Sequence, residues 1–395
     1  MSTIKTDTIT NNDAAIDFPN GLKTAHGNVV YSYYEQATEP SNPELFSVCF
    51  NTTDSKIYIY VNYEWVELGQ DAPVFLGSRG LFGGGMDFTS PTLGSNTIDY
   101  ITIPTPGNAT DFGDLIVEKW GLGACSDGTL GVFGGGANPL TSGSASLNSI
   151  DYVTIATTGN AIDFGDLTVA RGRISACSDN TYGLFGDGYF GSSVPIGYDV
   201  VGSNVIDYVT IATPGNAVDF GDLSVPRAAA ASCSDGTYGL FSGGAGTSGG
   251  DDSIDYVVIV TPGNAVNFGD LTSFRQDHAA CSDGTYGLFA GGLTSFGDGN
   301  GGPGGTYLPG LTSMEYVTIA TPGNAIDFGD LTEGRDLIGS CSDGTFGVFG
   351  GGGIGPVGSF INTIDYVSIA TPGNATDFGD LTSFRYWLAA CSGAA

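Results

Sequence analysis

Six basic residues share one recurring position: Lys119, Arg171, Arg227, Arg275, Arg335 and Arg385, each six places before a cysteine. The chain has only 11 Lys plus Arg against 42 Asp plus Glu, a formal charge of −31. Placing over half of the positive charge at one repeated position gives that position a fixed job. The chemistry open to it is charge pairing. Candidate partners are Asp99, Asp151, Asp207, Asp255, Glu315 and Asp365, each second in a hexapeptide of the Ile-Asp-Tyr-Val-Thr-Ile type. A buried charge is tolerable only when paired, so structural ion pairs within or between repeats are expected. A binding ring facing a shared axis is the alternative use.

Other reactive residues support little catalysis. The two histidines, His26 and His278, lie in different regions, and no nucleophile–His–acid set is visible. No His pair offers metal ligands. Glycoside hydrolysis needs only two carboxylates, but nearly all the repeat acids recur in every copy, as scaffold residues do. The expectation is therefore a non-enzyme with no cofactor and no metal site. Asp251-Asp252 and Asp298-Gly-Asn300 lack a full calcium-ligand spacing. The six repeat cysteines, Cys125 to Cys391, are expected to pack as small apolar groups rather than to pair, and Cys49 has no obvious partner.

The elements that position these groups follow from internal repetition. Asp-Phe-Gly-Asp-Leu recurs with its ring at Phe112, Phe164, Phe220, Phe268, Phe328 and Phe378, always 14 residues after the start of the Ile-Asp-Tyr segment. Leu-Phe-Gly-Gly recurs with its ring at Phe82, Phe133, Phe185, Phe241, Phe289 and Phe349. With the basic-to-Cys segment, that makes four short strands per repeat. Between them, Asp127-Gly128 and its counterparts suit a hairpin turn, and Thr-Pro-Gly-Asn suits a type II turn. The 65 glycines do not fall at every third position, which excludes collagen, and 41% hydrophobic residues argue against disorder.

A four-stranded meander of about 50 residues fits a propeller blade. The first copy lacks a basic-to-Cys strand, whereas the chain stops just after one. The expected fold is therefore all-β: a six-bladed propeller over 71–395, closed by its C-terminal strand, with a small β module at 1–70.

One interval escapes the repeat. From Leu-Phe-Gly-Gly to Ile-Asp-Tyr the ring-to-Ile spacing runs 16, 17, 21, 13, 25 and 15. In a propeller these connections emerge at one end, giving a rigid scaffold with one variable face. Its longest loops carry Tyr189, Phe190, Tyr198, Phe296 and Tyr307, aromatics suited to stacking on sugars or to protein contacts.

The repeat resembles the kelch family: an aliphatic strand ending in a Gly pair, a strand with a central Tyr, a strand with a ring residue, and an Arg before a small-residue strand. It departs in carrying Phe where kelch repeats carry Trp, and in Gly186-Asp187 and Ser242-Gly243 at the Gly pair. The opening Met1–Thr10, Asp17–Leu22 and the stretch Glu39–Leu68 resemble tail-fibre and virion structural proteins of marine bacteriophages. That resemblance implies a virion appendage assembled in the host cytoplasm, attached to other virion proteins and oligomerised through the N-terminal module. The variable face would then meet a host surface receptor, a glycan or a protein. The alternative is a capsid or tail decoration protein, or an extracellular filament subunit. A charge of −31 disfavours nucleic acid and anionic lipid. No apolar run reaches 18 residues, and the N-terminus does not read as a secretory signal.

Overall fold

A computed structural model describes residues 78–393, apart from 88–89, 91, 141–144, 191–201, 247–248, 295–309 and 356–358, together with four strands nearer the N-terminus. The chain separates into two compact units, Met1–Val74 and Phe75–Ala395, so the boundary falls four residues beyond the expected one. In the first unit, Tyr33–Gln36 pairs parallel with Val48–Asn51, which continues antiparallel through Lys56–Val61 and Glu64–Glu67.

The second unit is a six-bladed β-propeller of four-stranded antiparallel blades. In the second blade the order from the axis outward is Gly123–Ser126, Leu130–Gly134, Ser149–Thr154 and Ile162–Asp166. The first blade takes its innermost strand from the far end of the chain. Ala389–Gly393 pairs antiparallel with Arg79–Gly83, so the first blade gains its fourth strand and the inner edge of Arg79–Gly83 is covered.

The core lies between blades. At the junction of the second and third blades, Cys125, Val132, Ile150, Phe164 and Leu167 meet Phe185, Val209, Ile211 and Ala217. The closing junction repeats this packing with Cys341, Val348, Ile364 and Phe378 against Phe82, Ile101 and Ile103. Each cysteine projects at a glycine of the following blade. A Cβ on Gly183 would lie 2.6 Å from Cys125 Sγ, and one on Gly80, across the closure, 2.7 Å from Cys341 Sγ. The six thiols are buried and free, and burial pushes the Cys391 thiol up to about 12. They act as small packing groups.

The turns differ in detail from the sequence expectation. In the Asp-Gly turns only the second residue is left-handed, at φ 85° for Gly128 and 70° for Asn180, while Asp127 Oδ1 accepts from Thr129 N and Leu130 N. Thr-Pro-Gly-Asn is not the turn. The bend lies three residues earlier, closed by Thr157 N donating to Thr154 O, with Ile155 buried inside it. The glycine that follows is not left-handed, because this segment reaches across to the neighbouring blade. There Asn160 Oδ1 accepts from Asp114 N, and all six blades repeat that strut, including Asn108 to Asp380 across the closure.

Candidate functional site

The recurring bases and acids form six buried pairs, each within one blade. Lys119 Nζ lies 3.0 Å from Asp151, and Arg171, Arg227, Arg275, Arg335 and Arg385 lie 2.6–2.9 Å from Asp207, Asp255, Glu315, Asp365 and Asp99. The base enters from the segment ahead of the innermost strand and the acid sits on the third strand. The acid also holds the connection from the preceding blade: Thr382 donates its N–H and hydroxyl to Asp99. Burial lowers the pKa of Lys119, against the raising effect of Asp151. These pairs lie at 0–2% side-chain exposure, so they are scaffold and no ligand reaches them.

The two ends of the wheel differ. At one end, the innermost strands finish in a closed ring of serines. Each hydroxyl donates to the serine carbonyl of the preceding blade, as in Ser178 to Ser126 at 2.7 Å and Ser126 to Ser392 at 2.5 Å. This end carries the uniform Asp-Gly and Thr-Pro-Gly-Asn segments.

The opposite end carries every connection of variable length. It also carries a second variable position, two residues after each base: Gly121, Arg173, Ala229, Asp277, Leu337 and Trp387. All six are left-handed, at φ 52–61°. A side chain there costs roughly 1–3 kcal/mol, and a belt of backbone hydrogen bonds holds the conformation. Gly121 N donates to Trp387 O, Ala229 N to Arg173 O, Asp277 N to Ala229 O, Leu337 N to Asp277 O and Trp387 N to Leu337 O. At the remaining junction Ile174 N donates to Gly121 O. The belt fixes the backbone and leaves side-chain identity free.

Inside the belt lies a cavity of about 120 Å³ lined by these six residues and, deeper, by small residues such as Ala124, Ala176 and Ser232. Its chemically active side chains come from alternate blades. Trp387 stacks on Trp120 at 4.5 Å between ring centroids. Arg173 places its guanidinium 4.6 Å from the Trp387 ring centre, a cation–π contact. Trp387 Nε1 donates to Asp277 Oδ1 at 3.3 Å. Burial raises the pKa of Asp277, and the charge of Arg173 opposes that shift.

Two buried groups lie close by. His278 Nε2 is 2.9 Å from Ser242 Oγ, but Ser242 is fully buried and His278 is 5% exposed. Burial holds the imidazole pKa well below its usual value. Ser242 stands where most other blades carry glycine, and His278, which reaches it, also lines the wall of the axial cavity. Asp187 takes the left-handed glycine position of the third blade and accepts from Ser175 N, Ser175 Oγ and Ala230 N. Among the described residues, no group of three or more His, Cys, Asp or Glu is arranged to hold a metal ion.

The loop aromatics need one correction. Tyr189 is 3% exposed and packs with Trp120, Ala137 and Ala228. It is part of the core at this end rather than a contact residue, because its strand-like pairing with Gly172 folds it under the belt. Phe190, next along, is 40% exposed. Tyr198, Phe296 and Tyr307 lie outside the described residues, as do His26 and Asp298–Asn300. Repeat spacing does not single out Arg173, Asp277, Trp120 or Trp387. The available signal was the loss of repetition in the residues just after each base, inside a segment of fixed length. No protein-family model matches the chain, and a search of curated proteins finds no match.

Proposed function

We propose that this protein is a non-enzymatic virion appendage whose propeller recognises a host surface glycan through its variable face. The observation that carries this reading is the coincidence of two kinds of variation at one end of a uniform wheel. Connections of differing length leave the same end as an axial cavity, and the lining position two residues after each base differs in every blade. A rigid scaffold with variation confined to one face is the usual arrangement for recognition. Aromatic, cationic and carboxylate groups around one cavity suit a hydroxyl-rich ligand. The virion setting rests on the resemblance of the N-terminal segment to phage structural proteins, which assigns that segment to attachment and oligomerisation. The kelch-like character of the blades rests likewise on the repeat pattern.

The test is adsorption of the purified full chain to candidate host cells. Replacing 295–309 by a short Gly-Ser linker is expected to reduce adsorption at least about tenfold without shifting the melting temperature. Changing Thr213-Pro214 at the uniform end should leave adsorption unchanged. Equal adsorption by all three proteins would remove the variable face from the role.

A further inference from the structure

We propose that the axial cavity is a subsite for a single carboxylate-bearing sugar, of the uronic-acid class, with Arg173 receiving the carboxylate and Asp277 the ring hydroxyls. This inference rests on the recognition reading above and narrows it to one pocket and one ligand chemistry.

Arg173 is the exceptional cation of the propeller. Six other bases are buried in ion pairs, and Arg79 donates to Ile155 O. Arg173 is half-buried in the cavity wall, and among the described residues its guanidinium forms neither a hydrogen bond nor an ion pair. Its orientation comes from the Trp387 ring. A guanidinium held by its face keeps its N–H edge for a planar, two-oxygen acceptor, and a carboxylate fits that fork.

Asp277 lines the same cavity without forming an ion pair with Arg173. One of its oxygens takes the Trp387 N–H. An Arg and an Asp that share a cavity unpaired suit a ligand carrying both a carboxylate and hydroxyl donors. A second negative charge on the ligand would meet Asp277 and the −31 field of the chain, which disfavours phosphate monoesters.

Four further polar atoms have no hydrogen-bond partner among the described residues: Ser232 Oγ and His278 Nδ1 in the cavity wall, and Trp120 Nε1 and Tyr189 OH in the cluster beside it. Such groups are normally satisfied, so their grouping here marks the region as built for polar contact. The volume of about 120 Å³ is near ten times the roughly 10–15 Å³ that one water needs, so it suits one sugar unit rather than a chain.

The full chain holds three tryptophans, Trp65, Trp120 and Trp387, two of which stack at the pocket, so intrinsic fluorescence reports occupancy. Titration with glucuronate is expected to give a saturable change. Glucose and glucose 6-phosphate should bind at least about tenfold more weakly. Arg173→Gly places at this left-handed position the residue the second blade already carries, and is expected to fold normally and lose glucuronate binding. Arg173→Lys should recover part of it. No saturable change with glucuronate, equal binding of glucose, tighter binding of glucose 6-phosphate, or full retention in a folded Arg173→Gly protein would each overturn the proposal. Cell adsorption separates the two levels. Adsorption that survives Arg173→Gly but is lost on replacing 295–309 overturns the pocket and leaves the face. Adsorption indifferent to both removes the face as well.

Discussion

At the residue scale, the six ion pairs show what the scaffold tolerates. Four of the six acids accept a hydroxyl from the preceding connection, through Thr168, Ser224, Thr332 or Thr382. In the second blade that place is Ile116, which donates only its backbone N–H, and Asp151 Oδ1 is left without a hydrogen-bond partner. The same blade has Lys119 instead of Arg. Ile116→Thr is therefore expected to stabilise the protein by about 1 kcal/mol, read by chemical denaturation. Asp187 gives a pH signature. Burial raises its carboxyl to about 7, with the Ser175 and Ala230 donors and the Arg227 charge acting in the opposite direction. A carboxyl raised on folding stabilises fully below its unfolded value, and that contribution is lost as pH climbs through about 7. Melting temperatures from pH 5 to 8 should therefore fall more steeply in the natural protein than in Asp187→Asn. Parallel profiles would show that Asp187 does not titrate in this range.

At the element scale, each blade is joined to the next by side-chain fit and by backbone struts together. The cysteine strand is the inner half of that fit. Adding a methyl at Gly183 drives a carbon against Cys125 Sγ and against nothing that yields easily. Gly183→Ala is expected to cost about 1–3 kcal/mol. Cys125→Ala in the same chain should return at least about 0.5 kcal/mol of it, measured as the coupling in a double-mutant cycle. Additive losses would show that the thiol is not what fills the space. The edge-to-face contacts of the third-strand tyrosines with the outer-strand phenylalanines, 5.6–6.2 Å apart, serve the outer half of each blade.

At the scale of the whole molecule, beyond the Thr382–Asp99 contact and the core packing, closure is made by the terminal strand, the left-handed belt, the serine ring and the Asn108–Asp380 strut. All but the last run through residues 387–393. Removing Ala389–Ala395 leaves the first blade without its inner strand and opens an edge on a sheet rich in β-branched residues. The truncated chain is expected to lose its single cooperative melt and to self-associate in size-exclusion chromatography. A sharp transition at the natural temperature in a monomeric species would mean that closure adds nothing.

The sequence by itself determined the number of blades, their strand order, the closing strand, the set of bases and acids available for pairing and the end that varies. Each follows from local periodicity or from a residue type recurring at fixed spacing, and recurrence survives reading in one dimension. The pairing of a base with the acid of its own blade, the fate of Tyr189 and the axial pocket were decided only by the tertiary structure. Arg173, Asp277 and Trp387 are separated by about a hundred residues or more along the chain, and no spacing rule links them. They share a cavity because a closed six-fold wheel brings one position from every blade to the axis, and there the absence of repetition becomes a site.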